Sequence, residues 1–406
     1  MLNLSNQTKI AAENKKTLCI ITETKGWGGT EIYTRHLVEF LITKGYHIEF
    51  ISARHKFYDV FMQTFKSNKI KMFYTELSTT VPNRGSSKGW NDLLRTIESR
   101  ILIIPKGYNY MGNLFFLKQC RRKFEKIYYV EQLEAEPMET KSSRRWFGGI
   151  LPGVGLWWYK EVFLRKARSF YANHIIAVSN KVKESLIFSC GYPAKKITVI
   201  PNSINWESFT RDEKLGVEFR RRYAITADTF VIGMVARLAE IKGIDIALRA
   251  FAILLKQSIS RSVKLVIAGR GEKEAELRKL TNDLRIEDHV IFTGFLKNPI
   301  EALSAYDVIL FSSRLEGLPL GLLEGMAAGC IPIVTRISGM PEIVNSPEIG
   351  WVVDPENPEA LSVTMHDAVN LGRATIVSKR ENAIKMIKTN YDLDQCNQKL
   401  IETLNL

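Results

Sequence analysis

The chain has 406 residues, 45% apolar and 25% charged, with a formal net charge of +14. That is too long for one ordinary hydrophobic core and suits two domains of about 150–200 residues each. No run approaches the roughly 20 apolar residues of a spanning helix, and the five scattered cysteines and six histidines show neither CxxC nor HExxH spacing, which argues against a disulfide framework or a metal site.

The first 16 residues, MLNLSNQTKIAAENKK, are polar and lack the apolar centre of a leader peptide, so a cytoplasmic protein is expected. From there, β-rich apolar runs alternate with helical patterns. Strands are predicted at 17–22, 47–52, 69–74, 101–105, 127–130, 174–179 and 197–201. Directly after the first of these comes GWGGTE, residues 26–31, opening a helix. Glycines there allow a tight turn, and a helix N-terminus offers free N–H groups to an anion. The spacing is not GxGxxG and no acid ends the second strand, which disfavours a dinucleotide; an anion-binding loop and a purely structural turn both fit. Residues 78–89, rich in Pro, Gly and Ser, read as a long loop, as do residues 131–156. The helix predicted next, 156–171, is basic and aromatic (LWWYKEVFLRKARSFY).

A polar stretch at 203–227, containing TRDEKLGVEFRRR, reads as the joint between two series of elements. Beyond it, strands are predicted at 230–236, 263–269, 289–294, 307–312, 330–335 and 350–353. Continuous apolar strands separated by amphipathic helices imply parallel sheets covered on both faces, hence an α/β protein with two doubly wound, Rossmann-like domains. Ligands bind such sheets beyond the carboxyl ends of the strands, and with two sheets a central cleft is the expected site.

Four turns at strand ends of the second half carry chemistry. ARLAEIKG, residues 236–243, offers Arg237 and Lys242, a guanidinium and an ammonium that suit a diphosphate; a solvated loop with two cations is the plain alternative. AGRGE supplies Gly269 and Gly271 for a close backbone approach. In RLEGLPLGLLEGMAAGCIPIV, Glu316 sits just past a strand, Pro319 opens a helix predicted over 320–328, and Glu324 lies in that helix's second turn. Carboxylates so placed accept hydrogen bonds from sugar hydroxyls; a surface acid and a capping acid are the alternative. SGMPEIV, with Gly339 and Glu342, adds a short turn into a helix and further backbone donors.

Residues 1–200 hold 32 basic and 16 acidic side chains, net +16, whereas the remainder is net −2. A basic half invites an anionic partner such as nucleic acid, anionic lipid or a phosphorylated substrate. No nucleic-acid-binding pattern accompanies the charge. Residues 144–171 combine Arg144, Arg145, Arg165, Lys166 and Arg168 with Trp146, Phe147, Trp157, Trp158 and Phe163. That mixture suits an anionic membrane surface, although the core face of a packed helix would use the same aromatics.

On these residues the sequence resembles the retaining GT-B glycosyltransferases of family 4, the group 1 glycosyl transferases. The family's E-x7-E motif is matched by Glu316 through Glu324, followed by GMAAGCIPIVTRISGMPEIV; GGTE, HIIAVSNKVKESLI, ITVIPNSIN and RLAEIKGIDIALRAF match in order. The resemblance implies an acceptor-binding domain over 1–204, a donor-binding domain over 205–387, and a C-terminal helix, 388–406, packing back on the first. It implies that Arg237 and Lys242 hold the donor diphosphate, that Glu324 binds the ribose and that Glu316 contacts the transferred sugar. Gly28 and Gly29 would then line the reacting centre, the backbone of Leu318, Pro319 and Leu320 would meet sugar and phosphate, and Gly339–Glu342 would complete the pocket. The donor expected is a UDP-sugar, with no cofactor and no metal, and the acceptor is a glycan or lipid-linked surface-polysaccharide precursor. Where many relatives carry a histidine, this chain has Glu131 and Gln132, whose role would be on the acceptor side. A nucleotide-sugar epimerase of the same fold and a basic nucleic-acid-binding protein are the competing readings.

Overall fold

The computed structural model describes residues 17–22, 28–53, 69–75, 84–106, 114–135 and 154–406. The described residues up to Ile200, with Asn397–Leu406, form one compact unit; Pro201–Cys396 form a second.

In the first unit the strands are β1 (Thr17–Thr22), β2 (His47–Ala53), β3 (Ile70–Thr75), β4 (Ile101–Lys106), β5 (Lys126–Glu131), β6 (His174–Ala177) and β7 (Ile197–Val199). They pair in parallel in the order β3-β2-β1-β4-β5-β6-β7, so the order reverses between β1 and β4. β1 shows why: Leu18 to Thr22 are all buried, as a strand covered on both faces must be. The helices are α1 (Gly29–Thr43), α2 (Arg84–Thr96), α3 (Leu114–Lys123), α4 (Val154–Tyr171) and α5 (Asn180–Cys190). α5 has both ends signalled locally. Ser179 Oγ accepts from the Val182 N–H at 3.1 Å, and Gly191 closes the helix in the left-handed region at φ 66°.

The loop expected over 78–89 is corrected in part, because α2 begins at Arg84. Its Gly and Ser residues are poor helix formers, but Trp90, Leu94 and Ile97 recur at helical spacing and are all buried. Packing of that face outweighs propensity. Residues 76–83 and 136–153 lie outside the described residues.

In the second unit β8 (Phe230–Val235), β9 (Val263–Ala268), β10 (Val290–Gly294), β11 (Val308–Phe311), β12 (Ile331–Thr335) and β13 (Trp351–Val353) form a parallel sheet of order β10-β9-β8-β11-β12-β13. The helices are α6 (Glu213–Arg222), α7 (Ile244–Leu254), α8 (Glu274–Asp283), α9 (Ile300–Leu303), α10 (Leu320–Ala327), α11 (Met340–Ile343), α12 (Pro358–Val369), α13 (Arg373–Asn390) and α14 (Leu393–Leu404). One core cluster joins Ile232, Leu265 and Leu310 of the sheet to Phe251 of α7 and Met365 of α12.

The stretch 203–227 is a built part of this unit, against the expectation of a linker. Phe219 of α6 is fully buried, with its ring edge-on to Tyr306 at 6.2 Å. Arg211 donates to the carbonyls of Ser304, Tyr306 and Ala328, and Arg220 donates to Asp307 Oδ2 at 3.2 Å. The charged run thus caps the carbonyls that α9 and α10 leave open. The boundary expected at 204/205 falls at 200/201, and residues 388–396 stay with the second unit. The reason is local: the Ile204 N–H donates to the Tyr391 carbonyl at 3.1 Å and the Leu393 N–H to that of Ile204 at 3.0 Å. α14 is shared: its first turn, to Cys396, stays with the second unit, and from Asn397 it belongs to the first, where Tyr128 Oη donates to the Leu404 carbonyl at 2.6 Å.

Candidate active site

The order of the second sheet reverses between β8 and β11, and the loops after these two strands carry the charged residues. β8 ends at Val235, and the chain turns through Arg237 into a short 3-10 turn, Glu240–Lys242. The turn after β9 packs directly beneath it. The Leu238 N–H donates to the Arg270 carbonyl and the Lys273 N–H to that of Leu238, both at 2.9 Å. Gly269, at φ 148°, has room for no side chain: a Cβ there would fall 1.8 Å from the Ala236 carbonyl oxygen, and one at Gly271 2.3 Å from that of Leu238. The close approach read for these two glycines is therefore made to protein backbone. Gly243, at φ 58°, then presses on β11; its Cβ would fall 2.0 Å from the Ser312 carbonyl oxygen. Ser312 Oγ donates to the Gly243 carbonyl at 2.7 Å. The Arg237–Gly243 loop is fixed at both ends.

Lys242 is thereby delivered to Glu316, with Nζ 2.7 Å from Oε1. Ser313 Oγ donates to the same oxygen at 2.8 Å. The Glu316 side chain is only 6% exposed and that of Lys242 21%. The loop carrying Glu316 is tied to the turn after β12: Ser338 Oγ donates to the Glu316 carbonyl at 2.6 Å and the Gly339 N–H to that of Gly317 at 2.9 Å. Gly339 therefore spends its donor within the protein, as does Glu342, whose N–H reaches the Gly339 carbonyl at 3.1 Å. Ser338 holds a left-handed φ of 53° to make these bonds, a conformation that costs a serine free energy. Below, Arg314 forks onto both oxygens of Asp245 at 2.8 Å each and pairs with Glu356. Arg237 stays 57% exposed, and the one ion pair it makes among the described residues is a long one, 3.9 Å to Glu272. A cation so placed is free to reorient toward an anion.

Pro319 caps α10, and the Leu318 carbonyl before it accepts from Asn202 Nδ2 at 2.8 Å. The helix starts with Leu320 and carries Glu324 in its second turn, buried. Burial pushes the Glu324 carboxyl up to about 7. Gly325 lies against β11: a Cβ would fall 2.8 Å from Ile309 Cγ1.

Arg237, Lys242, Glu316, Leu318–Leu320, Glu324, Gly339 and Glu342 thus stand at the carboxyl ends of β8, β11 and β12. Ser313, Ser338, Asn202 and Arg314, which hold them there, were not singled out from the sequence. Ser and Asn in a loop give no period or spacing to read. In the first unit, Gly28 caps α1 in extended backbone, and a Cβ at Gly29 would meet nothing within 4 Å. Gly26 and Trp27 lie outside the described residues. Glu131 and Gln132 end β5 and are both buried. Neither Glu131 carboxyl oxygen has a hydrogen-bond partner among the described residues. Burial raises its pKa well above the carboxylate range, with Arg168 pulling the other way. All five cysteines are buried, and none forms a disulfide. Among the described residues no cluster of three or more His, Cys, Asp or Glu could hold a metal.

Two doubly wound parallel-sheet units, with cations and acids at the switch-point end of the second, define a protein of the GT-B glycosyltransferase fold. Solved structures share it: a Rickettsia africae glycosyltransferase (TM-score 0.73, 18% identity, 97% of this chain and 98% of that one) and Anabaena HepE in complex with UDP (0.76, 17%, 96% and 99%). The chain belongs to the family 4 glycosyltransferases: the profile "Glycosyltransferase Family 4" matches residues 146–208, and "Glycosyl transferases group 1" matches residues 217–389. Curated relatives include the uncharacterized glycosyltransferase MJ1607 of Methanocaldococcus jannaschii, 32% identical over 46% of this chain and 48% of that protein. The amylovoran biosynthesis glycosyltransferase AmsK of Erwinia amylovora is 28% identical over 58% of this chain and 57% of its own length. This chain spans about half the length of these two relatives. The capsular polysaccharide biosynthesis glycosyltransferase CapM of Staphylococcus aureus is 24% identical over 80% of this chain and 83% of its own.

Proposed function

We propose that the second unit binds a nucleoside-diphosphate sugar at the ends of β8, β11 and β12, and that the protein transfers the sugar to a glycan or lipid-linked acceptor of surface-polysaccharide synthesis. One observation carries this reading. A lysine and an acid are held 2.7 Å apart at the switch point, beside a helix N-terminus and an exposed arginine.

In the proposed reaction the bond between the sugar C1 and the diphosphate oxygen breaks. The electron pair stays on that oxygen, the acceptor hydroxyl oxygen bonds C1, and its proton passes to the leaving phosphate. Arg237 and Lys242 stabilise the departing charge, supported by the first N–H groups of α10. This cationic set fits a metal-independent reaction, and the family resemblance implies retention at C1. Lys242 exchanges part of its contact with Glu316 for the phosphate, which frees Glu316 for sugar hydroxyls. The Glu324 carboxylate accepts from the ribose hydroxyls. A UDP-sugar is the donor proposed; HepE, of the same fold, has been crystallised with UDP and with UDP-glucose. The amylovoran and capsular relatives support a surface-polysaccharide acceptor, and the place of action proposed is the cytoplasmic side of the membrane. Among the described residues no helix is long and apolar enough to cross one.

A panel of UDP-, GDP-, ADP- and dTDP-sugars, read by thermal shift and by nucleoside-diphosphate release, tests the proposal. A UDP-sugar should raise the melting temperature and release UDP. Conversion of the sugar to its epimer with no UDP released would overturn it in favour of an epimerase.

A further inference from the structure

The helices α3, α4 and α5 follow β4, β5 and β6, each stepping the same way across the sheet toward β7. Right-handed crossovers put all three on one face of the first unit. There, α3 packs beside α4 and α4 beside α5. A Cβ at Gly191, just past α5, would lie 3.6 Å from Lys166 Cδ of α4, so these two helices adjoin through their outer residues.

The outer stripe of each helix combines phenylalanine with at least one cation. On α3 it runs Phe115, Lys118 and Arg122; on α4 Phe163, Lys166 and Phe170; on α5 Lys181, Glu184 and Phe188. The four rings are 53%, 67%, 63% and 83% exposed. Glu184 is the one acid among the described side chains of these stripes, and Lys181 neutralises it at 3.4 Å. Leaving four phenylalanines in water is unfavourable, and nothing in their own helices requires an aromatic at an outward position.

We infer that this helix layer docks on an anionic lipid surface, its phenylalanines entering the boundary between headgroups and acyl chains and Lys118, Arg122 and Lys166 meeting lipid phosphates. The arrangement favours lipid over protein. The rings stand singly among cations across three helices, whereas the centre of a protein interface gathers its aromatics and excludes charge. A second copy of the chain would set like charges against each other, since residues 1–200 carry net +16. A bilayer accepts both features, taking rings and cations at adjacent depths. This surface is wider than the 144–171 segment singled out in the sequence. Phe115, Phe170 and Phe188 join it, Phe163 and Lys166 remain on it, and Arg168 leaves it, its Nε being buried. Arg144, Arg145, Trp146 and Phe147, and the side chains of Trp157 and Trp158, lie outside the described residues. The inference stands independently of the donor reading.

Flotation of the full chain with phosphatidylcholine vesicles, with and without phosphatidylglycerol, tests it. The protein should float with phosphatidylglycerol vesicles at low salt and be released at high salt. The variant carrying Phe163→Ser, Phe170→Ser and Phe188→Ser should keep its melting temperature, because these rings are exposed, and lose about tenfold or more in binding. Lys118→Glu with Arg122→Glu and Lys166→Glu should lose the phosphatidylglycerol dependence. Failure to float with phosphatidylglycerol, or equal flotation of wild type and the phenylalanine variant, overturns the inference. A wild-type dimer that the phenylalanine variant dissolves, seen by light scattering, overturns it in favour of a second copy.

Discussion

Glu324 is the carboxyl group of the proposed donor site that burial perturbs, so its titration ties folding to the proposed ribose role. Its pKa is about 7 in the folded protein against an ordinary 4.5. A carboxyl raised in this way favours folding most below pH 4.5; that advantage fades as pH climbs and is gone above about 7. The span corresponds to about 3 kcal/mol, so Glu324→Gln should be the more stable protein at pH 8 and show a flatter dependence of melting temperature on pH. In the proposed ribose role donor binding would run the other way, because hydroxyls bond more strongly to an ionised acceptor. Nucleotide affinity should rise with pH up to about 7, by as much as tenfold per unit, and titration calorimetry should find that slope missing in Glu324→Gln. Unchanged affinity in Glu324→Ala would remove the ribose role. Glu131 obeys the same sign. Its folded pKa lies above the unfolded value, so its burial costs stability as pH rises past the ordinary carboxylate range. Burial raises the Glu131 pKa, so Glu131→Gln is expected to be the more stable protein at neutral pH, measured by denaturant unfolding.

The loop from Arg237 to Gly243 is the element on which the site depends, and Gly243 is its anchor. With φ at 58° and the Ser312 carbonyl oxygen 2.0 Å from any Cβ, Gly243→Ala must move backbone. It should cost about 3 kcal/mol or more; because the shift carries Lys242 away from Glu316, turnover should fall further than stability explains. A normal melting temperature with normal turnover would show that the loop tolerates the change. The sequence was most legible at this scale. All thirteen predicted strands overlap observed ones, and the helix opened by Pro319 starts at Leu320 as read. Parallel strands covered on both faces are continuous apolar runs, and such runs cannot hide. Two readings failed for a common reason. The glycines and serines of α2 and the charges of 203–227 looked like loop and linker, yet Trp90 and Phe219 bury themselves, and Arg211 and Arg220 find carbonyls brought near only by the fold. At the site, Arg237, Lys242, Glu316 and Glu324 were visible as charge at strand ends. Ser313 and Ser338 were not, because their role is a hydrogen bond to a residue known only once the loops are placed.

Across the whole molecule, the two units divide the chemistry by charge. Residues 1–200 carry net +16 and the rest net −2, and the exposed cations and rings of the first unit face outward from its helix layer. The second unit, near neutrality overall, carries the proposed donor site at the ends of β8, β11 and β12. That Arg237 and Lys242 hold a donor diphosphate is the central claim, and calorimetric titration of the donor identified by the thermal screen into wild type, Arg237→Ala and Lys242→Ala, paired with turnover, tests it most directly. Each substitution should weaken donor binding about tenfold or more and cut turnover on the order of 100-fold while the fold is retained. Near-normal affinity and turnover in both variants would contradict the account.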